Sequence, residues 1–194
     1  MQPNDDASTI RVAVPGDLSR IVDIYNYYVT HSHATFDVTP FTVGERVPWF
    51  AGFSETGPYR LLVADRDNQL HGWCCSLPFQ DKPAYDISVE TTVYVDPDAV
   101  GRGIGRALYT KLLEGLAAAG LHGAYAGIAL PNDASVALHE HCGFRMIGKY
   151  EEVGRKFDRY WTVAWYGKRL QQDDVNGTNS NDDNHAGEEN QEIA

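Results

Sequence analysis

Val93-Tyr-Val-Asp-Pro-Asp-Ala-Val-Gly101-Arg-Gly-Ile-Gly-Arg-Ala-Leu-Tyr109 joins two periodicities through a glycine turn. Upstream, Ile87, Val89, Thr91, Val93 and Val95 alternate with Ser88, Glu90, Thr92 and Tyr94, the period of two that marks a strand with two different faces. Asp96-Pro97-Asp98 ends it. Downstream, Ile104, Leu108, Leu112 and Leu116 form an i, i+4 ridge on a helix that runs to about Ala119, with Gly120 as its stop. Between them Gly101, Gly103 and Gly105 let the chain turn tightly and turn consecutive backbone N–H groups toward one point at a helix N-terminus. That is an anion cradle, reinforced by the helix dipole and by Arg102 and Arg106 beside it. A dinucleotide fingerprint is excluded: it needs a glycine three residues after the second one, and Gly103 leads to Arg106 and Gly105 to Leu108. No Gly-Lys-Ser/Thr tripeptide occurs, so this is not a P-loop either.

Working outward, Ile10, Val12 and Val14 form an opening strand that stops at Pro15-Gly16, and Asp17 caps a helix carrying Leu18, Ile21, Ile24, Tyr25 and Tyr28. His31 to Pro40 is a loop, and Thr42 to Phe53 a second short helix. Tyr59 to Asp65 and His71 to Pro78 are two strands joined by the hairpin signal Arg66-Asp67-Asn68-Gln69. Gly123 to Leu130 is a buried strand, and Pro131-Asn132-Asp133 starts a helix that ends at Gly143. Phe144 to Tyr150 and Arg159 to Leu170 supply the last strands. The order β-α-α-β-β-β-α-β-α-β-β predicts an α/β fold, a mixed central sheet flanked by helices.

With 43% hydrophobic and 22% charged residues, the chain has the composition of a soluble globular protein. Its net charge of −11 speaks against nucleic-acid binding and against docking on an anionic membrane. Seven of the 27 acidic residues fall after Arg169, leaving 20 against 16 basic residues in positions 1–170. The segment 171–194 lacks aromatic residues and is expected to be a disordered acidic tail. Residues 1–8 are expected to be a disordered N-terminus, with the domain at 9–170. Cys74, Cys75 and Cys142 have no metal-ligand spacing and suit a reducing compartment. With no signal peptide and no apolar run near the ~18 residues a membrane helix needs, the expected location is the cytoplasm.

Two side chains carry acid–base chemistry. Glu90 sits mid-strand on the face opposite the apolar stripe, where a carboxylate can serve as a general base. His139 lies four residues after Ser135, on the same helix face. His139-Glu140-His141 is not the His-Glu-x-x-His zinc motif, and no metal is expected. Asn132 has the position of a helix cap. Tyr94, Tyr109 and Tyr150 are candidate proton donors, and spacing does not choose among them.

Three stretches carry a family resemblance: Tyr85-Asp-Ile-Ser-Val-Glu-Thr-Thr-Val-Tyr-Val95, Gly101-Arg-Gly-Ile-Gly-Arg106, and Leu130-Pro-Asn-Asp-Ala-Ser-Val-Ala-Leu-His-Glu140 followed by Cys142-Gly-Phe144. From Ile10 to about Leu170 the chain resembles the GNAT superfamily of N-acetyltransferases, and more narrowly the phosphinothricin N-acetyltransferase family. Val100 departs from the family's loop, where Gln or Arg is usual. The resemblance implies a GNAT-type fold and acetyl-CoA as co-substrate. Val93, Tyr94 and Val95 would meet the pantetheine arm and acetyl carbonyl, and Gly101, Arg102, Gly103, Ile104, Gly105 and Arg106 the pyrophosphate. Asn132 and Ser135 would also contact the cofactor. It makes Glu90 the catalytic base and His139 a base or positioning group near the amine. Phe36, Lys82 and Tyr85 match regions near the substrate, and Lys82 and Lys149 are candidate cations for an anionic one. The activity implied is direct acetyl transfer to the amine of a small amino-acid-like molecule of the phosphinothricin or methionine sulfone/sulfoximine type. A protein N-terminus or other amine as acceptor, and a non-catalytic CoA-binding module, are the alternatives. A homodimer is expected from the same resemblance.

Overall fold

The computed structural model describes residues 8–171, so the expectations for the two termini lie outside the described residues except at Ser8 and Gln171. The elements are β1 (Thr9–Val12), α1 (Leu18–His31), α2 (Val43–Phe50), β2 (Leu61–Arg66), β3 (Gln69–Pro78), β4 (Ser88–Val95), α3 (Ile104–Ala118), β5 (Gly123–Leu130), α4 (Asp133–His141), β6 (Arg145–Lys156) and β7 (Arg159–Arg169). The seven strands form one sheet in the order β1-β2-β3-β4-β5-β7-β6. Every neighbouring pair is antiparallel except β4 and β5, which run parallel.

Alternation along the strands gives the sheet two different faces. On one, the α3 ridge of Ile104, Leu108, Leu112 and Leu116 packs with Leu62, Cys74, Val89, Ala124, Ala126 and Ile128. On the other, Ile21, Ile24, Tyr25 and Val29 of α1 pack with Leu61, Val63, Trp73 and Cys75. Cys74 and Cys75 thus fall into opposite cores, and both are free thiols. Asp67 and Asn68 take φ of 54° and 59° at the β2–β3 hairpin, the left-handed pair that a two-residue turn between twisted strands requires.

Two local readings change. Asp17 does not cap α1 with its side chain; its carboxylate accepts from the Val14 N–H at 2.8 Å and from Arg11 at 2.7 and 2.9 Å. The strand expected to stop at Tyr150 continues to Lys156 as the edge strand β6. Its exposed residues Glu151, Glu152 and Arg155 have no apolar alternation to betray it, and its register against β7 shifts between Tyr150 and Gly154.

The feature that positions the site is the short parallel ladder. β4 and β5 are in register only at Ser88↔Gly123, Val89↔Ala124 and Glu90↔Tyr125. The Thr91 hydroxyl then donates to the Tyr125 carbonyl at 3.2 Å, and beyond it the strands part. β4 stays paired with β3 as far as Val95, and β5 with β7 as far as Leu130. The gap between them opens a cleft of about 730 Å³.

Candidate active site

On the α3 side, the cleft wall is the loop quoted at the outset. Gly101 and Gly103 have φ of 83° and 78°, so any other residue there would be strained. Gly103 is the N-cap of α3 and supplies no side-chain cap, and the first helical bond runs from Ala107 N–H to the Gly103 carbonyl at 3.0 Å. The N–H groups of Ile104, Gly105 and Arg106 therefore lack intrahelical acceptors. The two neighbouring helices begin differently, with Thr42 capping α2 and Asn132 capping α4 through side-chain oxygens. A Cβ on Gly105 would lie 3.1 Å from Leu138, so its absence lets α3 and α4 approach across the cleft.

Val93, Tyr94, Val95, Gly101, Gly103, Ile104, Gly105, Arg106, Asn132, Ser135 and His139 all line this cleft. Arg102 does not: its guanidinium turns back to the Asp98 carbonyl at 2.8 Å. Asn132 spends its carbonyl oxygen on the cap, accepting from Ser135 N–H at 3.1 Å.

At the base of the gap, His139 is 3% exposed. Its Nδ1 lies 2.7 Å from the Ser135 carbonyl, which can only accept, so Nδ1 carries the proton. Nε2 is then the acceptor for the Tyr109 hydroxyl at 2.9 Å. Burial lowers the His139 pKa, so the imidazole is neutral at pH 7, and its lone pair is already engaged. Of the three candidate tyrosines, Tyr94 and Tyr109 line the cleft, whereas Tyr150 is 60% exposed on β6.

Glu90 stands at the vertex, the last residue of the parallel ladder, on the α1 face with Thr92 and Tyr94. It is half-buried, and desolvation raises its pKa. Past it, the last turn of α1 and the loop that follows cross the end of the cleft and are tied down at several points. Tyr28 donates its hydroxyl to the Val95 carbonyl at 2.6 Å. His33 stacks on Trp161 with ring centres 3.9 Å apart, and its Nε2 donates to the Pro131 carbonyl at 2.9 Å. Phe36 packs on Gly154 of β6, where a Cβ would lie 2.2 Å from the ring. Lys156 is 4% exposed and donates to the Thr35 carbonyl at 2.8 Å and the Tyr28 carbonyl at 3.3 Å. Lys82 and Tyr85 sit instead on an exposed turn at Pro83–Tyr85, outside the cleft lining, where Tyr85 packs 5.9 Å from Phe79.

Residues 21–144 match the model of the acetyltransferase (GNAT) family. The chain belongs to that family. It is 55% identical over 163 residues to a phosphinothricin N-acetyltransferase of Streptomyces coelicolor, covering 83% of this chain and 95% of the relative. It is 31% identical over 157 residues to an L-methionine sulfoximine/L-methionine sulfone acetyltransferase of Salmonella typhimurium, covering 81% and 91%. Among solved structures, a GNAT superfamily phosphinothricin acetyltransferase from Sinorhizobium meliloti in complex with AcCoA superposes with a TM-score of 0.80 at 32% identity, covering 84% of this chain and 89% of that one.

In this GNAT acetyltransferase the expected residues divide cleanly. Those on the contiguous run 93–106 and on α4 come together at the cleft, apart from Arg102; Glu90 and Phe36 flank it without lining it, and Lys82 and Tyr85 sit on an exposed turn. Sequence reading missed Thr91, Tyr28, His33, Arg46 and Lys156, which the fold brings to the vertex, the loop or the α1 face. Tyr28 and Thr91 carried a signal, their places on the apolar stripes of α1 and β4. Lys156 closes a charged run that reads as solvated surface. Among the described residues no group of three His, Cys, Asp or Glu side chains is placed to hold a metal ion, and no helix is long and apolar enough to cross a membrane.

Proposed function

We propose that this enzyme transfers the acetyl group of acetyl-CoA to the amine of a small amino-acid-like acceptor of the phosphinothricin or methionine sulfone/sulfoximine type, by direct attack in a ternary complex. The observation that carries the reading is the parting of β4 and β5 immediately past Glu90, which opens a cleft next to this carboxylate, with Thr91 and Thr92 as the first lining residues of β4 and an uncapped helix on the facing wall. Acetyl-CoA, when bound, supplies the thioester electrophile. The fit to it is good: Ile104, Gly105 and Arg106 offer free N–H donors for a pyrophosphate, and the unpaired edge of β4 from Val93 to Val95 offers backbone groups to the pantetheine arm. The Asn132 amide N–H₂ and Ser135 hydroxyl extend that wall along α4.

Glu90 is the general base. An ammonium cannot attack, and a carboxylate whose pKa is raised by burial is a better proton acceptor than an exposed one. His139 is a positioning group, since its neutral ring holds the Tyr109 hydroxyl beside Thr91 at the base of the gap. The location is the cytoplasm, supported by three free cysteines. The enzyme is a homodimer, supported by the apolar residues Met146, Ile147, Tyr150 and Val153, each more than half exposed on the edge strand β6.

The test is release of free thiol from acetyl-CoA with a panel of amines. Turnover is expected with phosphinothricin and methionine sulfone or sulfoximine. Transfer only to a peptide N-terminus would replace the acceptor, and acetyl-CoA binding without thiol release from any amine would make the protein a CoA-binding module.

A further inference from the structure

Among the described residues, Arg46 on the α1 face has no carboxylate partner. Arg46 is half-buried in α2, with its guanidinium carbon 4.4 Å from the Phe41 ring centre, 4.5 Å from Trp49 and 5.0 Å from Tyr25. Arg11, Arg20 and Arg155 each hold a carboxylate. Arg46 makes no hydrogen bond or ion pair among the described residues, so its contacts are aromatic faces alone. Stacking on rings fixes the plane of the guanidinium but leaves its in-plane N–H donors open.

A second donor in the same cluster is also unmatched. Trp73 is 1% exposed, and its indole N–H has no acceptor among the described residues. Its ring packs 5.7 Å from Trp49, 6.1 Å from Tyr25 and 5.0 Å from Tyr94. Both unmatched groups are donors, and a buried donor such as the Trp73 indole is costly to leave without an acceptor. A ligand oxyanion would satisfy them; an ammonium would not.

The cluster is continuous with the vertex. On β3, Trp73, Cys75 and Leu77 stand opposite Tyr94, Thr92 and Glu90 in register, so one sheet face runs from the aromatic cluster to the carboxylate. Burial pushes the Cys75 thiol up, Arg46 draws it down and Glu90 adds to the rise, so both charges act on this one group between them. The other carboxylate of this wall, Asp37, is occupied by the Tyr25 hydroxyl. Lys82 and Lys149, the cations expected from sequence, are both exposed.

We propose that Arg46 holds an oxyanion of the acceptor while the acceptor's amine lies at Glu90, so that the site selects amines that also carry a carboxylate or phosphinate. This deepens the acetyl-transfer reading and rests on it for the position of the amine. A planar guanidinium fork matches either group bidentately, and the aromatic walls keep water from screening the pair.

The test is calorimetry on the full chain with methionine sulfone and phosphinothricin and with the carboxamide of each, beside acetyl-transfer assays on the same compounds. A charge-assisted contact of this kind is worth ~10–100-fold in affinity. The wild type is expected to bind methionine sulfone, whose carboxylate is its one oxyanion, more tightly than its amide by that factor, and unchanged affinity there would count against the proposal. Phosphinothricin loses the same factor on amidation where its carboxylate is the group held and keeps its affinity where its phosphinate is. Arg46→Met is expected to weaken acid binding by the same factor, and Arg46→Lys to recover part of it. Wild-type affinity for both acids in a folded Arg46→Met variant would overturn the proposal. Should Arg46→Met fail to fold, Arg46→Lys decides, because unchanged affinity for both acids would be equally fatal. Arg46-dependent binding without acetyl transfer would overturn the enzymatic reading and leave the anion contact standing; transfer with affinity indifferent to Arg46 would do the reverse.

Discussion

On the α3 side of β4 the cleft is made by one run of chain, residues 93–106, closed by the facing helix α4. On the α1 side it is assembled from α1, α2, the loop between them and the β6–β7 hairpin, held by His33 on Trp161, Phe36 on Gly154 and Lys156 on Thr35. The first side offers backbone groups in a conformation that glycine permits. The second offers side chains brought together from positions as distant as Tyr25 and Lys156. A backbone cradle tolerates little change, whereas a wall of separate side chains can be altered one residue at a time. The difference suits a family that keeps one acetyl donor and varies its acceptor.

The sharpest way to break the comparison is at the vertex, where the two sides meet. Glu90→Gln is expected to lower turnover by ~10²–10⁴-fold near neutral pH while acetyl-CoA affinity, measured by calorimetry, stays as it was. If Glu90 takes the ammonium proton, the deficit shrinks as pH rises and more amine arrives neutral. Wild-type turnover would make Glu90 a spectator, and an equal deficit at every pH would make it a positioning residue. Stability should move the other way. A carboxyl whose pKa is raised in the fold favours folding at low pH and loses that contribution as pH rises through its folded pKa. Glu90→Gln should therefore melt no lower than the parent at pH 7, with the gap closing below the ordinary carboxylate range.

The acceptor side alone is addressed by Lys156→Met. The Tyr28 carbonyl keeps the Ser32 N–H, but the Thr35 carbonyl loses its donor, so denaturant unfolding should register ~1–3 kcal/mol. The acceptor KM should rise as the loop loosens, with acetyl-CoA affinity unchanged. A matching fall in acetyl-CoA affinity would show that the two sides are not independent. The cofactor side is addressed by Gly103→Asp, which sets a carboxylate against the cradle and should weaken acetyl-CoA by ~10-fold or more, about 1.4 kcal/mol, in a protein that still folds. Wild-type affinity there would remove the cradle from the account. Smallest is Thr42→Ala, which deletes the α2 cap: ~1 kcal/mol in unfolding, with the acceptor KM as the only kinetic parameter to move.

The order of elements, the boundaries of β5 and the ridge of α3 were legible in the sequence because each is a local matter of period, cap or glycine. So was the glycine turn that opens α3 without a side-chain cap, since Gly101 and Gly103 need only their own φ to make it. Glu90 was legible as a strand residue on the face away from the apolar stripe. Other things came only with the tertiary structure. That β4 and β5 part after Glu90 depends on which strands become neighbours, and no window of sequence contains both. That Arg102 turns away, that Lys82 stays exposed and that Arg46 and Lys156 turn inward depends on what packs beside each. A cation's own neighbours in the chain say little about its surroundings in the fold. The sequence determined a backbone that can hold an anion, because glycine conformation and helix ends are local; the tertiary structure decided which side chains face it across the sheet, because burial and pairing are settled between residues far apart in the chain.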